Sequence, residues 1–279
     1  MQWNSLSKAW VVVGVMCAAQ VALALPATAA PLDVRFDKFF EVTPTGSKIK
    51  SESMRQLMRE ISFALGPRSS GPIASQGALG VDFAYELGMS GANDKADYWQ
   101  KGAEAPASSL TSHTMRFRKG LPQSLAVGAS LAHLSDSSLY AAGFELQTVF
   151  IDGFRSIPEF GARMGGTAIF GNSHLEGFYN FFGDLTLSKS FGVAGVLALQ
   201  PWLTYSMSGT YYKPLAEKII PDDKTLADVQ PQYSFDVSLA HRGAVGLRVV
   251  SHRVQLGFEL TRSFSDSLNL FTMRVGAVF

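Results

Sequence analysis

The last twelve residues of the chain, Leu268-Asn269-Leu270-Phe271-Thr272-Met273-Arg274-Val275-Gly276-Ala277-Val278-Phe279, decide the fold class. Side chains of a β-strand point alternately to opposite faces, so every second residue counted back from the end belongs to one face. That face is apolar: Phe279, Ala277, Val275, Met273 and Phe271. The other is small or polar, apart from Val278: Gly276, Arg274 and Thr272. The alternation predicts a strand with one apolar surface.

This stretch resembles the C-terminal strand of bacterial outer-membrane β-barrels, whose assembly machinery recognises a terminal Phe. The resemblance implies a Gram-negative outer-membrane location and a barrel-assembly machinery as partner. It implies an assembly signal formed by Phe271, Met273, Val275, Ala277 and Phe279. The resemblance extends over the whole strand region, but it implies no activity and assigns no other functional residue.

The start of the chain reads as an export signal, residues 1–29. Lys8 precedes an apolar run from Ala9 to Leu25, and Ala27-Thr28-Ala29 fits a signal-peptidase site. Cleavage after Ala29 is favoured over cleavage after Ala30, because the second cut would make Pro31 the first residue of the mature chain. An uncleaved membrane anchor is the alternative. A lipoprotein site at Cys17 is disfavoured, because the preceding Val15-Met16 lacks the small residues that such a site needs.

Composition restricts the function of the remaining chain. Cys17 is the only cysteine, so its removal with the signal excludes disulfides and thiol chemistry. The chain has 24 Lys+Arg and 23 Asp+Glu, and losing Lys8 leaves 23 of each. A balanced charge gives no support for nucleic-acid binding. No later segment approaches the ~18 apolar residues of a membrane helix. A membrane protein of this sequence must therefore be a barrel.

Residues 30–75 do not have the strand pattern. Met54, Leu57, Met58, Ile61 and Leu65 follow helical spacing, which predicts a helix from Glu52 to Leu65. We expect this N-terminal segment on the periplasmic side. Three roles remain open there: covering one end of the barrel, docking at its mouth, or entering the lumen as a plug. A periplasmic helix is also a candidate contact for another envelope protein.

Alternating apolar and polar residues dominate residues 76–279 and predict an all-β, antiparallel up-and-down barrel of about ten strands. Twelve strands would require Asp33–Val42 as an additional strand, and eight is a further alternative. A turn at His241-Arg242-Gly243 would split the eighth strand. Long loops at Ser90–Thr111 and Ser208–Pro231 are expected outside the cell. The strands are expected near Leu79–Met89, His113–Lys119, Ser124–His133, Leu139–Ile151, Glu159–Phe170, Gly177–Lys189, Gly195–Met207, Gln232–Val250, Val254–Thr261 and Leu268–Phe279.

The charged strand residues fall on the face opposite the aromatic residues, which favours a membrane barrel over a soluble β-sandwich. Acids and arginines on this face are nearly balanced, and buried charges require partners. We therefore predict a paired network that closes the lumen, with a narrow channel whose arginines bind an anion as the alternative. The predicted network contains Asp82, Glu86, Arg116, Arg118, Glu145, Arg163, Asp184, Asp236, Arg248, Glu259 and Arg274, and also Arg242 if the eighth strand is unbroken.

One short motif suggests an enzyme. His133-Leu134-Ser135 superficially resembles the His-x-Ser of outer-membrane lipid A deacylases, with Glu145 as a candidate orienting acid. The flanking pattern of that family is absent, as are the patterns of omptin proteases and outer-membrane phospholipases. His113, His174, His241 and His252 are dispersed and predict no metal site. No cofactor is expected.

The sequence thus predicts a monomeric, porin-like outer-membrane barrel of structural or narrow-channel type, embedded in outer-membrane lipid. Two alternatives remain. One is a lipid-modifying enzyme that uses His133 and Ser135. The other is an adhesin-like or scaffolding barrel that binds envelope partners through its external loops.

Overall fold

A computed structural model of the chain describes residues 30–43, 46–49, 51–69, 71–154, 156–214 and 238–279. The predicted signal peptide, Asp236 and most of the second long loop lie outside these ranges. None of the helices within them has the length and apolar composition needed to cross a bilayer. The elements in chain order are β1 (Phe40–Thr43), β2 (Gly46–Ile49), α1 (Ser51–Leu65), β3 (Val81–Gly91), α2 (Asp97–Gly102), β4 (Ser109–Gly120), β5 (Leu125–Leu134), β6 (Tyr140–Ile151), β7 (Glu159–Phe170), β8 (Leu175–Ser188), β9 (Phe191–Val193), β10 (Leu197–Pro214), β11 (Ser238–Ser251), β12 (Val254–Ser263) and β13 (Asn269–Val278).

Ten of these strands form a closed antiparallel barrel, which confirms the predicted fold class and strand number. Each strand pairs with its neighbour in sequence, with β9 a short addition beside β10. The barrel closes where β13 pairs with β3, for example Val275 opposite Tyr85. Each of the ten barrel strands therefore has a partner on both sides over the part of the chain that the structure describes, as strands in lipid require.

The alternative counts of twelve and eight strands are wrong, and so is the turn that would split the eighth strand. Phe40–Thr43 pairs with Gly46–Ile49 rather than with the barrel, so no twelfth strand arises near the N-terminus. β11 passes through Arg242 without a turn and remains in register with β10. Pro201 is accommodated within β10, because the ladder to β8 begins one residue later, at Trp202.

The barrel has two distinct ends. We call the end that carries residues 92–108 the loop end, and the end that carries Phe279 the turn end. β10 continues to Pro214 at the loop end, so the strand extends beyond the predicted loop boundary at Ser208. The short helix α2 lies within the first long loop and was not predicted.

Large apolar side chains cover the outside of the barrel. Many of them are exposed on the outward parity of the strands, including Phe117, Phe144, Phe181, Leu203 and Phe258. The alternate positions point into the barrel and are buried, and many are polar or charged. A water-soluble sandwich would show the reverse distribution, so this pattern is typical of a barrel with lipid around it.

The helix α1 has nearly the predicted bounds, and its periplasmic location stays a prediction. It lies at the loop end, on the same side as the loop that was expected to be extracellular, and not at the opposite end. Arg59 pairs with Asp266 in the β12–β13 turn at 2.7 Å. Ser62 contacts Thr210 near the end of β10 at 2.8 Å. A local helical pattern does not encode which end of a barrel the helix meets, so it could not show that the helix and the first long loop share one end.

The described residues between Pro31 and Leu65 cap the loop end. Near its start, Leu32 N–H donates to Asp136 O at 2.8 Å, and the Ser138 N–H donates to Asp33 Oδ1 at 2.6 Å. Asn172 Nδ2 donates to Val34 O at 2.9 Å. We call the described residues Pro31–Thr43 and Ser51–Leu65 the cap.

After the cap, the chain runs through the lumen to the turn end, where β3 begins. We call Gly66–Ser69 and Gly71–Ala78 the lumen segment. Gly66 must be glycine, because a Cβ there would overlap the Ser62 carbonyl oxygen and lie 2.5 Å from Asn180 Nδ2. Of the roles left open by the sequence, the structure combines two: the cap covers the mouth and the lumen segment fills the interior.

Candidate functional site

Apolar side chains fill the loop-end part of the lumen. Leu57, Met58 and Ile61 of α1 are fully buried. From Glu60 to Leu65 every residue of the helix is buried, because the strands surround this part of it. The surrounding apolar partners come from the start of the chain, from α2, from inward strand positions and from the turn before β6: Phe36, Phe39, Trp99, Leu110, Leu134, Ile169, Phe178 and Leu139.

A buried carboxylate joins the cap to the first long loop. Glu60 accepts hydrogen bonds from Tyr98 Oη and Trp99 Nε1, both at 2.5 Å, and from Asn93 N–H at 3.4 Å. Burial and the nearby Glu60 charge raise the pKa of the Tyr98 phenol, so it stays protonated and can donate. The loop is therefore fixed to the helix by hydrogen bonds to one acid.

Below the cap, the lumen wall carries a charge network. Glu145 is its best-paired acid. Arg116 Nη1 lies 2.5 Å from Glu145 Oε2, and Arg118 donates through Nε and Nη2 to Glu145 Oε1 at 2.9 and 2.7 Å. All three side chains are buried. The buried charges are therefore compensated within the wall, as their desolvation requires.

Asp82 and Glu86 of β3 connect the network across the closing strands. Arg274 Nη2 donates to both carboxylate oxygens of Asp82 at 2.8 Å. Gln255 Nε2 donates to Asp82 Oδ1 at 2.6 Å. Glu86 has longer contacts, with Arg116 Nε at 3.3 Å and Arg274 Nη1 at 3.6 Å. These contacts link β3, β4, β12 and β13 through one continuous set of charges.

The remaining predicted charges lie in the same interior. Arg163 is 3.3 Å from Asp184. Arg248 donates to Gln200 and lies 3.8 Å from Asp82. Arg242 is buried in the wall, with its guanidinium 4.9 Å from the Phe63 ring of the cap. Asp236 is the one predicted member outside the described residues.

The lumen segment contacts this wall along its length. Arg68 lies 3.9 Å from Glu86 and donates to Ser112 Oγ. Ser69 donates to Glu259, which also accepts from Trp202 Nε1 at 3.2 Å and from Thr261 at 3.0 Å. Nearer the turn end, Ser188 Oγ donates to Ile73 O at 3.0 Å and Gln147 Nε2 donates to Ala74 O at 3.3 Å. The interior is therefore occupied by the chain itself.

The three predicted catalytic candidates do not meet. Glu145 points into the lumen, whereas His133 and Ser135 have outward parity. His133 Nε2 donates to Ser137 O at 3.1 Å, so this nitrogen carries a proton and cannot accept one from Ser135. Glu145 cannot orient a histidine on the other side of the wall. The predicted His133–Ser135–Glu145 arrangement is therefore wrong.

Ser135 instead contacts a histidine of the neighbouring strand. His113 Nε2 lies 3.0 Å from Ser135 Oγ, and His113 Nδ1 lies 2.5 Å from Tyr85 Oη. His113 pairs directly with His133 across β4 and β5. Sequence reasoning missed this relay because its three residues lie on different parts of the chain. The register of β4 with its neighbours β3 and β5 would have shown that these residues are close together.

The residues of the predicted assembly signal form the outward face of β13. Phe271, Met273, Val275 and Phe279 are exposed on the barrel exterior. Phe279 exchanges two backbone hydrogen bonds with Val81, at 2.8 and 2.9 Å, and so extends the closing ladder to the last residue. Whether an assembly machinery recognises this face remains a prediction.

The exterior is apolar, the interior is charged, and the antiparallel strands close on themselves. The architecture is that of an outer-membrane β-barrel. Within the described part of the chain, no group of His, Cys, Asp and Glu has the arrangement of a metal site. The distinctive features of this barrel are its filled lumen and the outward Tyr85–His113–Ser135 relay.

Comparison with known proteins supports no finer assignment. No family model and no curated protein sequence matches the chain. Among solved structures, it is similar to the KdgM porin at 10% identity and a TM-score of 0.32, over 72% of this chain and 99% of that one. It is similar to the Ail attachment invasion locus protein of Yersinia pestis at 7% identity and 0.27, over 72% and 97%. The NalP autotransporter translocator domain of Neisseria meningitidis gives 11% and 0.28, over 82% and 95%. Scores of this size carry no functional information.

Proposed function

We propose that this protein is a closed, non-conducting outer-membrane barrel that displays its cap at the cell surface. The observation that carries the proposal is the path of the N-terminal chain. It covers the loop end and then occupies the lumen as far as the turn end, with hydrogen bonds to β4, β6, β8 and β12 on the way.

Three layers support closure. Apolar packing of α1 fills the loop-end part of the lumen. The paired charges fill much of the middle, and the lumen segment passes beside them. A barrel of this strand number has an interior that side chains can fill. A conducting pore would instead need a continuous water-filled path lined by polar groups.

The proposed orientation places the loop end outside the cell. Outer-membrane barrels carry their longer loops outside and shorter turns in the periplasm. Here the first long loop is at the loop end, where β10 also ends and β11 begins. The predicted signal peptide and the outward apolar face of β13 agree with export and insertion from the periplasm.

Single-channel conductance in a planar bilayer tests closure. We expect no steps from the refolded full chain, and steps from a variant that lacks residues 31–74, because the deletion removes the cap and most of the lumen segment. Heat-modifiable migration on a gel is the control that both forms are folded barrels. Steps of equal size from both forms would contradict the proposal, because the lumen would then be open despite its contents.

Surface display is a second part of the proposal. It is favoured because Leu32 and Asp33 are hydrogen-bonded to the loop-end turn between β5 and β6. An epitope tag inserted after Ala30 should bind antibody on intact cells. A tag inserted in the turn at 252–253 is the matched control and should need permeabilised cells. The opposite result would reverse the orientation. Binding to another cell or envelope protein, if present, should be lost on trimming residues 92–108 and 215–237.

A further inference from the structure

A closed structural barrel does not require the outward relay of Tyr85, His113 and Ser135. We propose that Ser135 is a nucleophile that takes acyl groups from lipid esters at the membrane surface, with His113 as its base and Tyr85 as a positioning residue.

The geometry meets the first requirement of nucleophilic catalysis. Ser135 Oγ is 3.0 Å from His113 Nε2, within the distance for proton transfer. When the His113 proton is on Nδ1, it is donated to Tyr85 Oη at 2.5 Å, and Nε2 is free to accept the serine proton. A third group that orients the base is part of the same requirement.

The molecule contains an internal comparison that separates this relay from ordinary interfacial packing. Tyr205 Oη lies 2.7 Å from His241 Nδ1 on β10 and β11, which repeats the Tyr85–His113 contact. The nearby Ser265, however, accepts from the His241 backbone N–H at 3.3 Å and not from the imidazole. Among the described residues, a tyrosine–histidine hydrogen bond therefore occurs at two places, and a serine hydroxyl contacts the imidazole at one of them.

The position of the relay points to the substrate class. Ser135 lies in the loop-end turn after β5, next to an outward row of rings that includes His133, Tyr140 and Phe170. Aromatic girdles of this kind mark the boundary between headgroups and hydrocarbon. The ester bonds of membrane lipids lie at the same depth. His113 and Ser135 are both partly exposed.

The reaction balances without a cofactor. Ser135 Oγ adds to the ester carbonyl while its proton moves to His113 Nε2, and the departing alcohol takes that proton when the intermediate collapses. Water then hydrolyses the acyl-serine with His113 as base again, which releases a fatty acid and restores the serine.

Labelling of the folded full-length barrel with an alkyl fluorophosphonate tests the nucleophile. We expect labelling that Ser135→Ala abolishes and that His113→Gln slows by about 10²-fold or more. His133→Gln and His241→Gln are matched controls and should label like the unmodified protein. Absence of labelling in the unmodified barrel, or equal labelling of Ser135→Ala, would overturn the proposal. So would an equal loss in His133→Gln.

Two further measurements separate the roles. Tyr85→Phe should lower the maximal labelling rate but leave the half-saturating probe concentration unchanged, because Tyr85 orients the base and does not bind the probe. A changed concentration with an unchanged maximal rate would contradict this role.

Vesicles of bacterial outer-membrane lipid should release fatty acid with the unmodified protein and not with Ser135→Ala. Labelling without fatty-acid release would overturn the assignment to lipid esters.

Discussion

The two parts of the lumen are filled by opposite chemistry. The loop-end part holds Leu57, Met58 and Ile61 of the cap against apolar wall residues. The middle holds Glu145 and its arginines, with the lumen segment alongside. Apolar packing is non-directional and depends on volume. Charge pairing depends on the position of individual atoms and on every charge keeping its partner. The apolar part of the lumen should therefore tolerate substitution by side chains of similar volume, whereas the charged part should not.

The largest effect should come from Glu145→Gln. The substitution keeps the shape but leaves Arg116 and Arg118 without their closest acid. We expect a loss of about 3–5 kcal/mol in the free energy of unfolding, measured by denaturant titration in detergent or vesicles. Glu176→Gln, which breaks an exposed pair with Lys213, is the matched control and should cost less than about 1 kcal/mol. Equal effects of the two changes would show that the network is solvated.

A smaller loss should follow from truncation in the apolar part. Ile61→Ala removes a fully buried side chain at the centre of the cap. We expect a loss of about 2–5 kcal/mol by the same titration, because transfer and cavity terms add. Leu79→Ala, at a position that is 90% exposed, is the control and should be near neutral. A loss below about 1 kcal/mol for Ile61→Ala would mean that the cap is not packed into the lumen.

Glu60→Gln tests the polar link between the cap and the first long loop. The amide nitrogen of the substituted side chain cannot accept a hydrogen bond, so either Tyr98 or Trp99 loses its acceptor. We expect a loss of about 1–3 kcal/mol and faster proteolysis within residues 92–108. The control is Glu52→Gln, at an exposed position of the same helix. Unchanged proteolysis of the loop would argue against its attachment through Glu60.

The smallest effect is expected from a conservative exchange in the apolar part, which sharpens the comparison. Leu57→Met keeps the volume and should cost less than about 1.5 kcal/mol. Arg118→Lys keeps the charge, but it loses the two hydrogen bonds that Arg118 Nε and Nη2 donate to Glu145 Oε1. The lysine variant should therefore be the less stable of the two. A reversed order would contradict the difference drawn between the regions.

The sequence predicted the strands well because period two is strict when one face meets lipid and the other meets a polar interior. β7 has the predicted bounds, Glu159–Phe170, and the parity of Arg116 and Glu259 placed both inside. The helix was also found within a residue, because its apolar stripe has clear helical spacing.

Relations between distant segments were not predictable in the same way. Nothing in residues 66–78 has a period, so the path through the lumen had no sequence signal. Which end the helix α1 meets depends on contacts such as Ser62 with Thr210, which are 148 residues apart. The pairing of Ser135 with His113 rather than His133 follows from strand register, which alternation within single strands does not determine.

The path of the lumen segment also constrains the order of assembly. Its C-terminal end continues into β3, and β3 is the strand that pairs with β13 to close the barrel. The segment must therefore lie among the other strands before that last pairing forms, or be drawn through a ring that has already closed. In the first case, the barrel strands complete their pairing around the lumen segment. The backbone hydrogen bonds between β3 and β13 then close the barrel and enclose the lumen segment in the same step.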